Sequence, residues 1–150
     1  MEFLMQSRVL VNPVLHDLGN VGGMGNRKML QIWGGDFDGP KLKGKIIPGG
    51  GDWPLVRPDG VGLVDARYTL ETDDGVFINI YNNGYRHAQP EALAELDAKQ
   101  SVVNPDAYYL RTYTRFEAPL GKYDWLAKHV FIGIGERHPE VLFLRYFMLR

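Results

Sequence analysis

The stretch GVGLVDARYTLETDDGVFINIYNNGY, from Gly60 to Tyr85, decides the fold class. Its two arms, Gly60 to Thr72 and Val76 to Tyr85, alternate polar with apolar residues and are rich in Val, Ile, Tyr and Thr. That composition suits a pleated surface buried on one side. Between the arms stands Asp73-Asp74-Gly75. An Asp-Gly pair in this setting signals a β-hairpin, because glycine takes the positive φ that tight hairpin turns require.

Working outward, a second hairpin is expected near the end of the chain. Phe131 to Arg137 and Val141 to Leu149 are joined by His138-Pro139-Glu140, whose Pro cannot sit inside a central strand. Further strands are expected over Phe3 to Val11, Lys28 to Trp33, Lys41 to Ile47 and Tyr108 to Phe116, so about eight emerge. One helix is expected from Pro90, where a missing amide hydrogen costs nothing, to Ala98, with Glu91 in its first turn and Leu93 and Leu96 on one face. This helix reads as a flap or plug. So many strands must hide their edges, and closure into an antiparallel barrel does so completely. The expected fold is therefore an all-β antiparallel barrel with one short helix, filling a single domain over residues 1–150. At about eight strands its interior holds side chains or one small ligand.

Composition narrows the function classes. Seventeen Lys and Arg against eighteen Asp and Glu leave a net charge of −1, so neither nucleic acid nor an anionic membrane is an expected partner. The absence of cysteine excludes disulfides, thiolate catalysis, zinc-thiolate sites and iron–sulfur clusters. Met1-Glu2-Phe3-Leu4-Met5-Gln6 lacks the pattern of a signal peptide, and no apolar run approaches the length of a membrane span, so a cytoplasmic protein is expected. The four histidines show no metal-binding spacing. Asp36-Phe37-Asp38-Gly39 lacks the remaining oxygen ligands of a calcium loop, and no Gly-x-Ser-x-Gly elbow is present. No metal and no cofactor are expected.

Several segments bring chemistry-bearing side chains together. Pro48-Gly49-Gly50-Gly51-Asp52-Trp53-Pro54 reads either as a tight corner or as a close backbone approach to a ligand, delivering a carboxylate and an indole together. It is not a phosphate loop, since no Gly-Lys-Ser/Thr follows. In Val64 to Leu70 the strand period places Asp65 and Arg67 on one face and Ala66, Tyr68 and Leu70 on the other. Either face can be the inner one, and the expectation is that Asp65 and Arg67 look into the barrel. A similar alternation sets Tyr109, Arg111 and Tyr113 against Tyr108, Leu110 and Thr112. A buried guanidinium needs a carboxylate or an anionic ligand, so Arg111 is expected to face Asp65 across the barrel. Arg86 is a candidate cation at the mouth, and Tyr123-Asp124-Trp125-Leu126 adds two aromatics beside a carboxylate.

Six blocks, Gly34 to Gly44, Pro48 to Trp53, Asp65 to Leu70, Thr72 to Gly75, Tyr108 to Thr112 and Tyr123 to Leu126, together resemble the bacterial and fungal domain-of-unknown-function family numbered 3237. The resemblance implies a compact lipocalin-like barrel that self-associates as a homodimer or higher homo-oligomer, and it brings no general activity. Apolar residues on both faces of Val141 to Leu149 point to self-association too. Position by position, the resemblance marks Asp52, Trp53, Asp65, Arg67, Tyr109, Arg111 and Trp125 as pocket candidates. Ala127 stands where a polar residue is expected after the Trp-Leu pair.

The expected function is small-molecule binding in the barrel. One reading is cofactor-independent acid–base catalysis of the isomerase, cyclase or hydro-lyase type on a hydrophobic or aromatic metabolite. Asp52 or Asp65 would move the proton while Arg67, Tyr109 or Arg111 stabilises an oxyanion, with Trp53, Arg86, Tyr113 and Trp125 as ligand contacts. The other reading is a carrier or sensor using the same cavity. A third, a structural module, needs the interior filled, and Gly133 and Gly135 are expected to leave room there.

Overall fold

The computed structural model describes residues 1–99 and 104–150. Its strands are β1 (Glu2–Val11), β2 (His16–Asn20), β3 (Asn26–Asp38), β4 (Lys43–Asp52), β5 (Leu55–Val56), β6 (Gly62–Thr72), β7 (Phe77–Ala88), β8 (Tyr108–Glu117), β9 (Val130–His138) and β10 (Val141–Leu149). The helix α1 (Pro90–Lys99) joins β7 to β8. Eight strands close an antiparallel barrel: β3, β4, β6, β7, β8, β9 and β10 each pair with the next, β10 returns to β1, and β1 pairs with β3. β2 lies against β3, and the short β5 bridges β3 and β6. The expected all-β barrel with one short helix is what forms. The side chain of Leu96, expected beside Leu93, lies outside the described residues.

The Gly60 to Tyr85 hairpin forms as its alternation dictates. β6 and β7 pair from Gly62↔Arg86 to Glu71↔Phe77, and Gly75 turns the chain at φ 84°. Beyond its turn hydrogen bonds, Asp74 accepts from Tyr123 Oη at 2.8 Å and Lys122 Nζ at 3.0 Å. This ties the hairpin tip to the segment before β9. That segment carries a 3-10 turn, Asp124–Lys128, and buries Tyr123 and Leu126. They join the core formed by Phe116, Phe131, Leu70, Ile78 and Tyr146, so this end of the barrel is filled.

Two expectations about glycine change. Pro48 to Asp52 is not a corner but a bulged continuation of β4, whose register against β6 slips by two residues between Ile47 and Gly51. A Cβ on Gly50 would meet Cβ of Tyr68 at 2.5 Å, so strand crowding, not a ligand, requires the small residue there. The face of Gly133 and Gly135 is likewise occupied: added Cβ atoms would meet Thr112 Oγ1 at 2.3 Å and Leu110 at 2.7 Å. The free space lies further toward the α1 end.

Candidate functional site

A cavity of about 230 Å³ lies inside the barrel, away from the filled end. Its apolar wall comes from Val9, Leu30, Ile32, Leu110, Leu142 and Leu144, inward residues of β1, β3, β8 and β10. Its polar wall carries Asp52, Lys28, Arg86 and Arg137, with Tyr68, Asn82 and Thr112 nearer the packed core. Each position follows from strand parity. Arg86 continues the inward series Ile80, Asn82 and Gly84 of β7, and Arg137 continues Phe131, Gly133 and Gly135 of β9. The two-residue slip in β4 preserves parity, so Asp52 pairs with the inward Ala66 of β6 and Leu30 of β3.

Asp52 is held by its neighbour strand: an Oδ1 oxygen accepts a 3.1 Å hydrogen bond from the backbone amide of Asp65. Burial pushes its carboxyl up to about 6; the Asp65 amide lowers it, the Asp65 carboxylate raises it, and Arg137 and Arg86 lower it. Arg137 is lowered below the usual guanidinium range, first by burial and then by repulsion from Arg86, against the attraction of Asp52. Its backbone amide donates to Tyr108 Oη at 3.1 Å, which fixes the end of β9.

Beneath these charges lies a buried polar network. The hydroxyls of Tyr68 and Tyr146 are 3.0 Å apart, Asn82 Nδ2 donates to Tyr146 Oη at 3.2 Å, and Thr114 Oγ1 donates to Asn82 Oδ1 at 2.7 Å. Burial first, and the charge of Asp52 last, push Tyr68 up to about 12, so its hydroxyl stays protonated as a donor. Thr112 differs. Its Oγ1 is buried beside the cavity and has no hydrogen-bond partner among the described residues.

Of the residues singled out from sequence, Asp52 and Arg86 line the cavity. The expectation that Asp65 and Arg67 look inward is overturned. The inward side of β6 is taken by Ala66, Tyr68 and Leu70, because the apolar face must fill the barrel. Asp65 accepts from Asn83 Nδ2 at 3.2 Å on the outside, and Arg67 lies over the Tyr81 ring, 5.0 Å from its centroid. In β8 the inward face is Tyr108, Leu110, Thr112, Thr114 and Phe116. Tyr109, Arg111 and Tyr113 therefore face out. Tyr109 stacks on His87 with Arg111 above it, and Arg111 does not meet Asp65 across the interior. Trp53 is 40% exposed in a shallow outer groove with Arg67, and Trp125 packs at the filled end under Lys41. Sequence reasoning missed Lys28, Tyr68, Asn82, Thr112 and Arg137. For Arg137 a signal existed, since it shares parity with Gly133 and Gly135.

Among the described residues no group of three His, Asp or Glu side chains is placed to hold a metal ion, and no helix is long and apolar enough to cross a membrane.

Residues 1–149 match the family model described as Protein of unknown function (DUF3237). A UPF0311 protein of Clostridium acetobutylicum is 37% identical over 137 residues, 91% of this chain and 85% of its own length. Among solved structures, a conserved protein of unknown function from Rhodopseudomonas palustris superposes with a TM-score of 0.90 at 29% identity, covering 99% of this chain and 96% of its own. A β-barrel-like protein from Acinetobacter baumannii gives 0.85 at 35% identity, covering 99% and 94%. A structure described as an enzyme from Penicillium herquei gives 0.73 at 21% identity, covering 99% and 92%, a likeness of fold.

Proposed function

The chain belongs to the DUF3237 family, and from the geometry of its barrel we propose that it binds a small organic molecule in the cavity and moves protons on it. The observation that carries this reading is Asp52: a carboxyl on an otherwise largely apolar cavity wall, raised to about 6 and flanked by Arg86 and Arg137. A carboxylate so raised is a stronger base than one in water and is still mostly ionised at neutral pH. Asp52 takes a proton from a carbon or hydroxyl of the ligand and returns it elsewhere on the same molecule. The guanidiniums stabilise the oxyanion formed in between. Such a cycle is an isomerisation, or with bond closure or loss of water a cyclisation or dehydration, and it consumes no co-reactant. Catalysis by Asp65, Arg67, Tyr109 or Arg111 has no place in it, since those side chains are outside the barrel.

The test is hydrogen–deuterium exchange on phenylpyruvate and a panel of other aromatic and aliphatic 2-oxo and unsaturated acids in deuterium oxide, followed by proton NMR. The proposal expects exchange or isomerisation of at least one compound by the parent protein and its loss in Asp52→Asn, which still binds. Binding by the parent without turnover anywhere in the panel overturns the enzyme and leaves a carrier. No binding at all overturns the cavity as a site.

A further inference from the structure

We infer that the side-chain amide of Asn82 receives a carbonyl oxygen of the ligand, so that the cavity takes a carbonyl compound lying across Ala66 toward Asp52. The inference rests on the cavity being the site proposed above and names the class of ligand it takes.

The strand register sets the spacing. Asp52 of β4 pairs with Ala66 of β6, and Ala66 pairs with Asn82 of β7, so the three stand in one row on the inner face. All three line the cavity. The outer two are separated by twice the interstrand spacing, about 10 Å between backbones. Only the methyl of Ala66 stands between carboxyl and amide in that row. A carbonyl oxygen and the carbon beside it fit such a gap, each in reach of its partner.

The amide is fixed and has a hydrogen to spare. Thr114 Oγ1 donates to Asn82 Oδ1 at 2.7 Å, the usual length of a hydroxyl bond to oxygen, and Asn82 Nδ2 donates to Tyr146 Oη at 3.2 Å, within the range of an amide donor. The two lengths assign which end is oxygen and which is nitrogen. One N–H of Nδ2 is spent on Tyr146. The second has no acceptor among the described residues, although Asn82 is only 2% exposed. On the outer side of the same strand, Asn83 spends its Nδ2 on two acceptors, the Val64 carbonyl at 3.4 Å and Asp65 Oδ1 at 3.2 Å. A buried N–H without an acceptor costs free energy that a ligand oxygen recovers.

The chemistry follows from the row. Asp52 removes a proton from the carbon beside the carbonyl, the C–H electron pair becomes the enolate double bond, and the carbonyl π pair moves to oxygen. There the Asn82 N–H joins the guanidiniums in meeting the charge, and being held beforehand it needs no reorganisation. The proton then returns to carbon at the same or a conjugated position, so nothing else is consumed. The apolar wall of Val9, Ile32, Leu142 and Leu144 takes the hydrocarbon part.

The test titrates the protein with 2-indanone and with indane, the same skeleton without the oxygen, and follows backbone amides and the Asn82 side chain by proton–nitrogen NMR. One of the two Asn82 Nδ2 proton resonances should move downfield with the ketone and not with indane. The ratio of ketone to indane affinity should fall about fivefold in Asn82→Leu, as for the loss of one hydrogen bond, and persist in Asp52→Asn. Exchange of the ketone's α-hydrogens in deuterium oxide should be faster with the parent than in buffer, and slowed in both variants. If Asn82→Leu does not fold, the response of the Asn82 protons in the parent decides. Cavity resonances that move alike for both compounds, with the Asn82 protons indifferent to the oxygen, overturn the inference and leave the cavity standing as a site. Ketone held at Asn82 without exchange supports the inference and removes the catalysis proposed above. No shift for either compound overturns both readings.

Discussion

The carboxylate of Asp52 and the backbone amide of Asp65 are joined by a 3.1 Å hydrogen bond from β6 to β4, while the Asp65 side chain points out of the barrel. Of two acidic residues paired with neighbouring positions of one sheet, one is aimed inward and fixed by the other's backbone. That bond orients the Asp52 carboxyl through the backbone of the next strand, and Arg86 and Arg137 line the same cavity.

Stability should report the environment of Asp52. Its folded pKa of about 6 lies above the unfolded value of 3.8, so the native state binds more protons between those values. Stability therefore falls as pH rises from about 4 to about 6, by about 3 kcal/mol if the whole shift is realised. Denaturant titrations of Asp52→Asn should lack this fall, and at pH 7 the variant should be more stable than the parent by up to that amount. Parallel pH profiles for the two proteins would contradict the assignment.

The tyrosine pair beneath the cavity gives a second expectation. Tyr146→Phe removes the hydroxyl that meets Tyr68 and accepts from Asn82. Leaving those buried groups short of partners should cost about 1–3 kcal/mol in urea unfolding. Thr69→Ala, which removes a half-buried bond to Asn79 on the outer side, should cost less. Equal costs would mean that the buried network is not the tighter of the two.

Gly84 shows how closely β7 and β8 approach beside Arg86. A Cβ there would stand 2.1 Å from the Arg111 carbonyl oxygen and 2.7 Å from Thr112 Cα, both backbone atoms. Gly84→Ala should destabilise by about 1–3 kcal/mol or more through forced strand displacement, and should shift amide resonances of Thr112. A change within about 0.5 kcal/mol would show that the strands are looser than described.

Arg67→Ala discriminates the outer from the inner placement. With its guanidinium over Tyr81 on the surface, the substitution should cost about 0.5–1 kcal/mol and leave ligand affinity unchanged. A cost of about 3–5 kcal/mol, as for a broken buried pair, together with lost binding, would return Arg67 to the interior.

How much of this was legible before the structure differs from residue to residue. The barrel was readable because Gly60 to Tyr85 couples an unambiguous turn to clean alternation, and period two fixes which residues share a face. Which face is inner is a property of closure, not of one strand. In β6 and β8 both faces carry large side chains, and the charged ones were assigned to the wrong side. Asp52 was legible as a carboxylate delivered by Gly49 to Gly51, but the two-residue slip between Ile47 and Gly51 that keeps it within β4 was not, because the same run reads equally as a corner. The glycine-flanked face of β9 was read as empty space, and its next residue, Arg137, was passed over.

Self-association remains our proposal, with a specific surface. On the outside of β1 and β8 to β10, Phe3 meets Phe147 edge to face at 5.8 Å, and Phe147, Ile132 and Tyr113 follow one another across strands. Phe3, Tyr113, Val130 and Leu149 are all exposed there. A patch of this kind is an expected association surface. Sedimentation equilibrium at high micromolar concentration should show a dimer or larger for the parent and a smaller species for Phe147→Glu. A monomeric parent would overturn it.

The most direct test of the account is an NMR titration of the Asp52 carboxyl carbon in the parent and in Arg137→Met. Among the described residues the groups sharing its cavity are Lys28 on β3, Tyr68 on β6, Arg86 on β7 and Arg137 on β9, with the Asp65 carboxylate close by. The account predicts a midpoint near 6 in the parent, moved higher in Arg137→Met, where a cation that favours the carboxylate is gone. A midpoint near the ordinary aspartate value, unmoved by the substitution, would contradict it.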